Sequence, residues 1–185
     1  MNKKSFLYKK YLWWKYEGRY IISDFIKGIK NIVKWFPIIW KDRDYDHSYT
    51  LNLLKNKLIF QSNYFENHSY HTDSVRDIQI MRTCIKLIDK INEDFYHMEY
   101  LNYHKSNFNF IDIDKKGSKE VKIDLVYENF DEYFSKYKLI YKKISKELST
   151  NDKFTIAKKI SFENQKRCKK ILFQLLENNI EKWWS

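Results

Sequence analysis

Apolar positions recur at helical spacing along most of this chain, most clearly in two stretches. Behind Ser74 and Asp77, which read as a variant capping box, Ile78, Met81, Ile85, Ile88 and Phe95 follow in steps of three and four with one missed turn. Cys84 falls near that buried stripe. Upstream, Ile22, Phe25, Ile29, Ile32 and Val33 share a face that Lys27, Lys30 and Lys34 mostly avoid. Ser23 and Asp24 supply a start signal, and Pro37 stops the helix or starts the next segment, which predicts an amphipathic helix with a basic face from 24 to about 35.

Weaker patterns fill the remainder. Phe6 to Tyr16 is helical but blurred by Tyr8, Tyr11, Trp13 and Trp14, and Tyr49 to Phe65 carries Leu51, Leu54 and Leu58 on one face. Val121, Ile123 and Leu125 alternate with Lys122 and Asp124, preceded by Phe108, Phe110 and a turn at Lys115 to Ser118. That is the pattern of a hairpin. Asn129 starts a short helix around Asp131 to Tyr137, Leu139 to Leu148 forms another, and the last runs from about 153 to 182 with Ile156, Ile160, Cys168, Ile171, Leu175 and Leu176. The expected fold is mainly α: a single helical domain over 1–185 with at most a small β-hairpin between about residues 105 and 127.

Composition agrees. A chain of 185 residues fits one domain, and three Gly and one Pro leave few turns for a sandwich. The net charge of +11 is divided unevenly: residues 1 to 41 hold ten Lys/Arg against two Asp/Glu, residues 42 to 150 carry −1, and residues 151 to 185 carry +4. Two basic ends point to an anionic partner, whether nucleic acid, nucleotide or membrane surface, or to a solvated lysine-rich surface. Cys84 and Cys168 are too few for a disulfide framework and match no metal spacing, so two buried thiols in a reducing compartment are expected. The N-terminus has no uninterrupted signal-peptide core, and Ile32 to Trp40 is too short and too interrupted to span a bilayer. No membrane partner is expected.

Candidate chemistry is sparse. Asp42, Asp44 and Asp46 resemble the opening of a calcium loop, but His47 stands where its glycine belongs and Leu53 where its glutamate belongs. Helix capping, with Arg43 paired to a neighbour, is the simpler reading. His68 and His71 lack a second pair of metal ligands. Glu93, Asp94, His97, Glu99 and His104 are raw material for acid–base work without a demonstrated pocket. No glycine-rich phosphate loop or nucleophile elbow is present. No catalytic residue, metal or cofactor is assigned. Six Trp, 15 Tyr and 13 Phe exceed the needs of a core this size, and aromatics beside cations offer stacking faces for bases and charges for phosphates, as around Trp35, Trp40, Lys41, Arg43 and Tyr45.

The strings WWKYEGRY at 13 to 20, WFPIIWKDRDYDHSY at 35 to 49, YHKS at 103 to 106, ISFENQKR at 160 to 167 and the terminal WWS resemble a widespread group of small tailed-bacteriophage proteins. Ser185 departs from the acid that follows Trp-Trp in that group. The resemblance implies the cytoplasm of an infected bacterial host. By analogy with phage proteins that sequester cyclic nucleotide signals, it implies an anti-defence sponge that binds a cyclic-oligonucleotide-type immune signal without cleaving it. The expected ligand-binding residues, drawn from those strings, are Arg43, His47, Tyr49, His104, Lys105, Asn164, Gln165 and Arg167. A homo-oligomer is expected, with Trp183 and Trp184 as a candidate contact. The alternative is an accessory protein that binds nucleic acid through its basic ends, and a metal-dependent nucleotide hydrolase using the aspartates ranks below it.

Overall fold

Helical periodicity becomes helices and one hairpin in the computed structural model, which describes residues 3–41, 46–68, 73–112, 119–148 and 152–184. The chain falls into two units, Met1–Leu53 and Leu54–Ser185. In the first, helix α1 (Lys3–Trp13) passes through a π-helical turn (Trp14–Gly18) into α2 (Arg19–Ile39). A Cβ at Gly18 would stand 2.9 Å from the Trp14 ring, so any larger residue inside the π-turn would have to displace the indole. Because the chain enters α2 already helical, Ser23 lies inside the helix and caps nothing. Pro37 does not stop the helix, which runs two residues further; the proline removes one ladder N–H without ending the ladder. Helix α3 (His47–Asn67) starts where the Asp46 carboxylate accepts from the Ser48 N–H at 2.9 Å, a cap, and the boundary between the units falls within it.

The second unit continues with α4 (Ser74–Asn92), α5 (Phe95–Met98), a 3-10 turn (Glu99–Tyr103), strands β1 (His104–Asp112) and β2 (Lys119–Glu128), α6 (Phe130–Lys136), α7 (Lys138–Glu147), α8 (Lys153–Asn179) and a closing 3-10 turn (Lys182–Trp184). The expected turn at Lys115 to Ser118 lies outside the described residues. The strands pair antiparallel, with a bulge between Lys105 and Ser106, and set Phe108 opposite Ile123 and Phe110 opposite Val121. The fold is mainly α with one small hairpin.

Helix α8 is the axis against which α4, α5, α6 and α7 pack. The Asp152 carboxylate caps it, accepting from the Phe154 and Thr155 N–H groups. Its inward stripe runs Ile156, Ala157, Ile160, Ser161, Asn164, Gln165, Cys168, Leu172 and Leu176. Along its first half lies an aromatic core of Tyr100, Phe130, Tyr133, Phe134 and Ile144. Along its second half α4 contributes Met81, Cys84, Ile88 and Ile91. Phe95 leaves the α4 stripe and is exposed, because Asp94, at φ 48°, breaks the helix before it. Ion pairs join α3 to α4: Lys55 with Asp89, and Arg82 with both oxygens of Glu66 at 2.9 and 2.8 Å. Both thiols are free and buried, and Trp183 is buried in its own chain, which removes it as a subunit contact.

Two carboxylates of the second unit, Asp77 and Glu99, are buried among the described residues. Glu99 is 5% exposed, and its carboxylate accepts from Lys136 and, at 2.5 Å, from the Tyr137 hydroxyl. Its attraction raises the Lys136 pKa. Burial and then Glu99 raise those of Tyr133 and Tyr137, and burial pushes the Cys84 thiol up to about 11. The folded state therefore keeps protons that the unfolded chain releases, so stability falls as pH rises past about 8.5, the ordinary thiol value, with the tyrosines and Lys136 adding above about 10. Urea midpoints measured from neutral to alkaline pH should show this decline, and Cys84→Ala should flatten its first part. Glu99→Gln should cost about 1–3 kcal/mol at neutral pH, a modest value because Lys136 is half-exposed.

Candidate functional site

The eight residues expected to bind ligand are distributed over both units. Arg43 lies outside the described residues, as do Asp42, Asp44 and His71. His47 is the first residue of α3, and Tyr49, two residues on and half-buried, donates its hydroxyl to the Ile38 carbonyl at 3.4 Å. The other five belong to the second unit. His104, at the start of β1, stacks on Phe130 with ring centroids 5.6 Å apart and contacts Phe154 at 5.1 Å. Its Nε2 pairs with the Ser106 hydroxyl at 2.8 Å, and its Nδ1 is buried with no hydrogen-bond partner among the described residues. Lys105 is exposed beside it.

Asn164 and Gln165 face the core, and Arg167 faces solvent on the same helix. The Gln165 amide donates to the Ile91 carbonyl at 3.2 Å and to Asp94 at 3.3 Å, tying α8 to the end of α4. Asn164 lies by the Tyr133 hydroxyl, where it opposes the burial that raises that group's pKa. Gln165 thus serves the scaffold, while the Asn164 Nδ2 is buried with no hydrogen-bond partner among the described residues.

The outer face of the same helix offers a different constellation. An open cavity of about 500 Å³ is lined by Thr155, Lys158, Lys159, Phe162, Glu163 and Lys166 of α8, with Leu148 from the end of α7. The periodicity that turns Ile156, Ile160 and Asn164 inward turns these residues outward. Phe162 is about half exposed and packs against His97 at 4.4 Å. Three ammonium groups, one carboxylate, one hydroxyl and an aromatic ring therefore share one groove. Lysines supply point charges for phosphate oxygens, the ring supplies a stacking face, and the carboxylate accepts from sugar hydroxyls or base amines. Lys158 and Phe162 were not singled out in the sequence, although the four-residue step between them places both on one helix face.

No group of three or more His, Cys, Asp or Glu side chains among the described residues is arranged to hold a metal ion. Among the same residues no helix is long and apolar enough to cross a membrane. No protein-family profile, curated protein or solved structure matches the chain.

Gln165→Ala separates scaffold from ligand contact. Loss of its two bonds, to the Ile91 carbonyl and to Asp94, unties α8 from the end of α4 and empties a buried position, and should cost about 1–3 kcal/mol in urea unfolding, whereas Arg167→Ala, on the solvent face, should stay within about 0.5 kcal/mol.

Proposed function

We propose that the protein binds and sequesters a nucleotide-type anion in the groove of α8, and that its ligand is a cyclic-oligonucleotide immune signal, held intact in the cytoplasm of a phage-infected bacterium. The observation that carries this reading is the gathering of Lys158, Lys159 and Lys166 around Phe162 in one open cavity. Phosphates need cations and bases need flat apolar faces, and this groove offers both. The phage context and the sponge role come from the sequence resemblance. A sponge acts at stoichiometric amounts, so its affinity must approach the nanomolar range, about 12 kcal/mol. Three surface lysines and one ring in a single protomer fall short of that alone, and a homo-oligomer that pairs two grooves across one ligand would supply the remainder.

Purified protein mixed with a panel of cyclic dinucleotides, cyclic trinucleotides and ADP-ribose derivatives should show a raised melting temperature with at least one of them. Heat denaturation should release that ligand unaltered, and an altered product would identify an enzyme. Lys159→Glu should weaken binding at least about 10-fold, and Phe162→Ala by about 10- to 100-fold, the range of one base–aromatic stack. A bound ligand whose affinity neither substitution changes would place the site elsewhere.

A further inference from the structure

Helix α2 has an asymmetry that neither a nucleotide nor a nucleic acid answers. At 100° per residue, Ile22, Phe25, Ile29, Ile32, Val33 and Phe36 fall within a sector about 100° wide, and these side chains are 47–68% exposed. Lys27, Lys30 and Lys34 lie on the other side of the helix. The preceding segments add exposed Tyr11, Trp13, Trp14 and Tyr16 among Lys10 and Lys15, and Tyr20 is exposed at the start of α2. The result is an apolar stripe, a cationic back and a concentration of amphipathic rings in the part of the chain with the greatest charge excess.

We propose that α2 lies in the plane of an anionic lipid bilayer, with its isoleucine and phenylalanine face in the acyl boundary and its lysines among the headgroups. Each feature has a counterpart there. The aliphatic stripe leaves water, the lysines meet anionic headgroups, and Trp and Tyr occupy the interfacial layer that suits a ring with one polar edge. Nucleic acid would satisfy the lysines and leave the aliphatic stripe in water. A second copy would cover the stripe but would bring two strongly basic segments together. The expectation of no membrane partner rested on the length needed to cross a bilayer. Lying on one requires hydrophobic asymmetry instead, and α2 has it. This inference concerns the first unit and does not depend on the α8 groove.

Co-sedimentation of the full chain with phosphatidylcholine vesicles, with and without phosphatidylglycerol, tests it, with tryptophan emission as a second readout. Binding should be at least about 10-fold stronger to the anionic vesicles, weaken with salt, and shift the emission to the blue. Lys30→Glu with Lys34→Glu should remove the preference for anionic lipid. Ile29→Ser with Ile32→Ser should abolish binding to both compositions while circular dichroism stays helical. Failure of the unaltered protein to bind anionic vesicles at low salt would overturn the proposal. So would a lipid-free dimer that Ile29→Ser with Ile32→Ser converts to monomer, or binding to nucleic acid in place of vesicles that the serine variant retains.

Discussion

A carboxylate removed from water must be answered by cations and donors, and the Glu99 side chain sets that requirement for the second unit. Its two partners, Lys136 and Tyr137, are consecutive residues at the corner between α6 and α7. Satisfying the charge therefore fixes the corner against the turn that begins at Glu99, and the corner sets the course of α7 toward Leu148 on the rim of the α8 groove. Removing Lys136 would leave the Glu99 carboxylate buried without its cation. The tyrosine-rich shell around it, Tyr100, Tyr103, Tyr133 and Tyr137, supplies bulk with hydroxyl tips, a composition suited to enclosing a charge within an otherwise apolar core.

The two units use the same residue types in opposite ways. In the second, Ile88 and Ile91 of α4, Phe130 and Phe134 of α6 and Ile156 and Ile160 of α8 line the interior and lysine is left outside. In the first, isoleucine and phenylalanine of α2 are themselves exposed. Both ends of the chain are basic, but the charge stands in different company: on α8 beside one aromatic ring in a groove, on α2 behind a continuous aliphatic stripe. A concave basic groove suits a small anion, and an amphipathic rod suits a surface.

Much of this fold was legible because period and alternation are local signals. The stripe from Ile78 to Ile88 gave α4, and Val121 and Ile123 gave the hairpin. Ser23 misled because it marks a boundary only if the chain enters it from a non-helical conformation, and the π-turn at Trp14–Gly18 delivers it already helical; Pro37 misled because, two residues before the end of α2, it costs the ladder one N–H without breaking it. Asn164 and Gln165 could have been read as inward-facing, since Asn164 stands four residues from both Ile160 and Cys168. Their polarity drew attention to ligands, whereas the structure uses Gln165 to tie down the end of α4. The enclosure of Glu99 was not legible, because its partners lie 37 and 38 residues away and nothing local announces the meeting.

The two thiols give the second unit an internal clock. Cys84 and Cys168 lie on facing helices, both buried, both with raised pKa, and Cys168 in contact with the Leu87 carbonyl at 3.9 Å. An alkylating reagent needs an accessible thiolate, so in the closed state it has almost no substrate. The rate at which each cysteine is labelled then measures how often α4 and α8 separate, and equal rates at the two positions would mean that the helices part as one cooperative event rather than fraying singly.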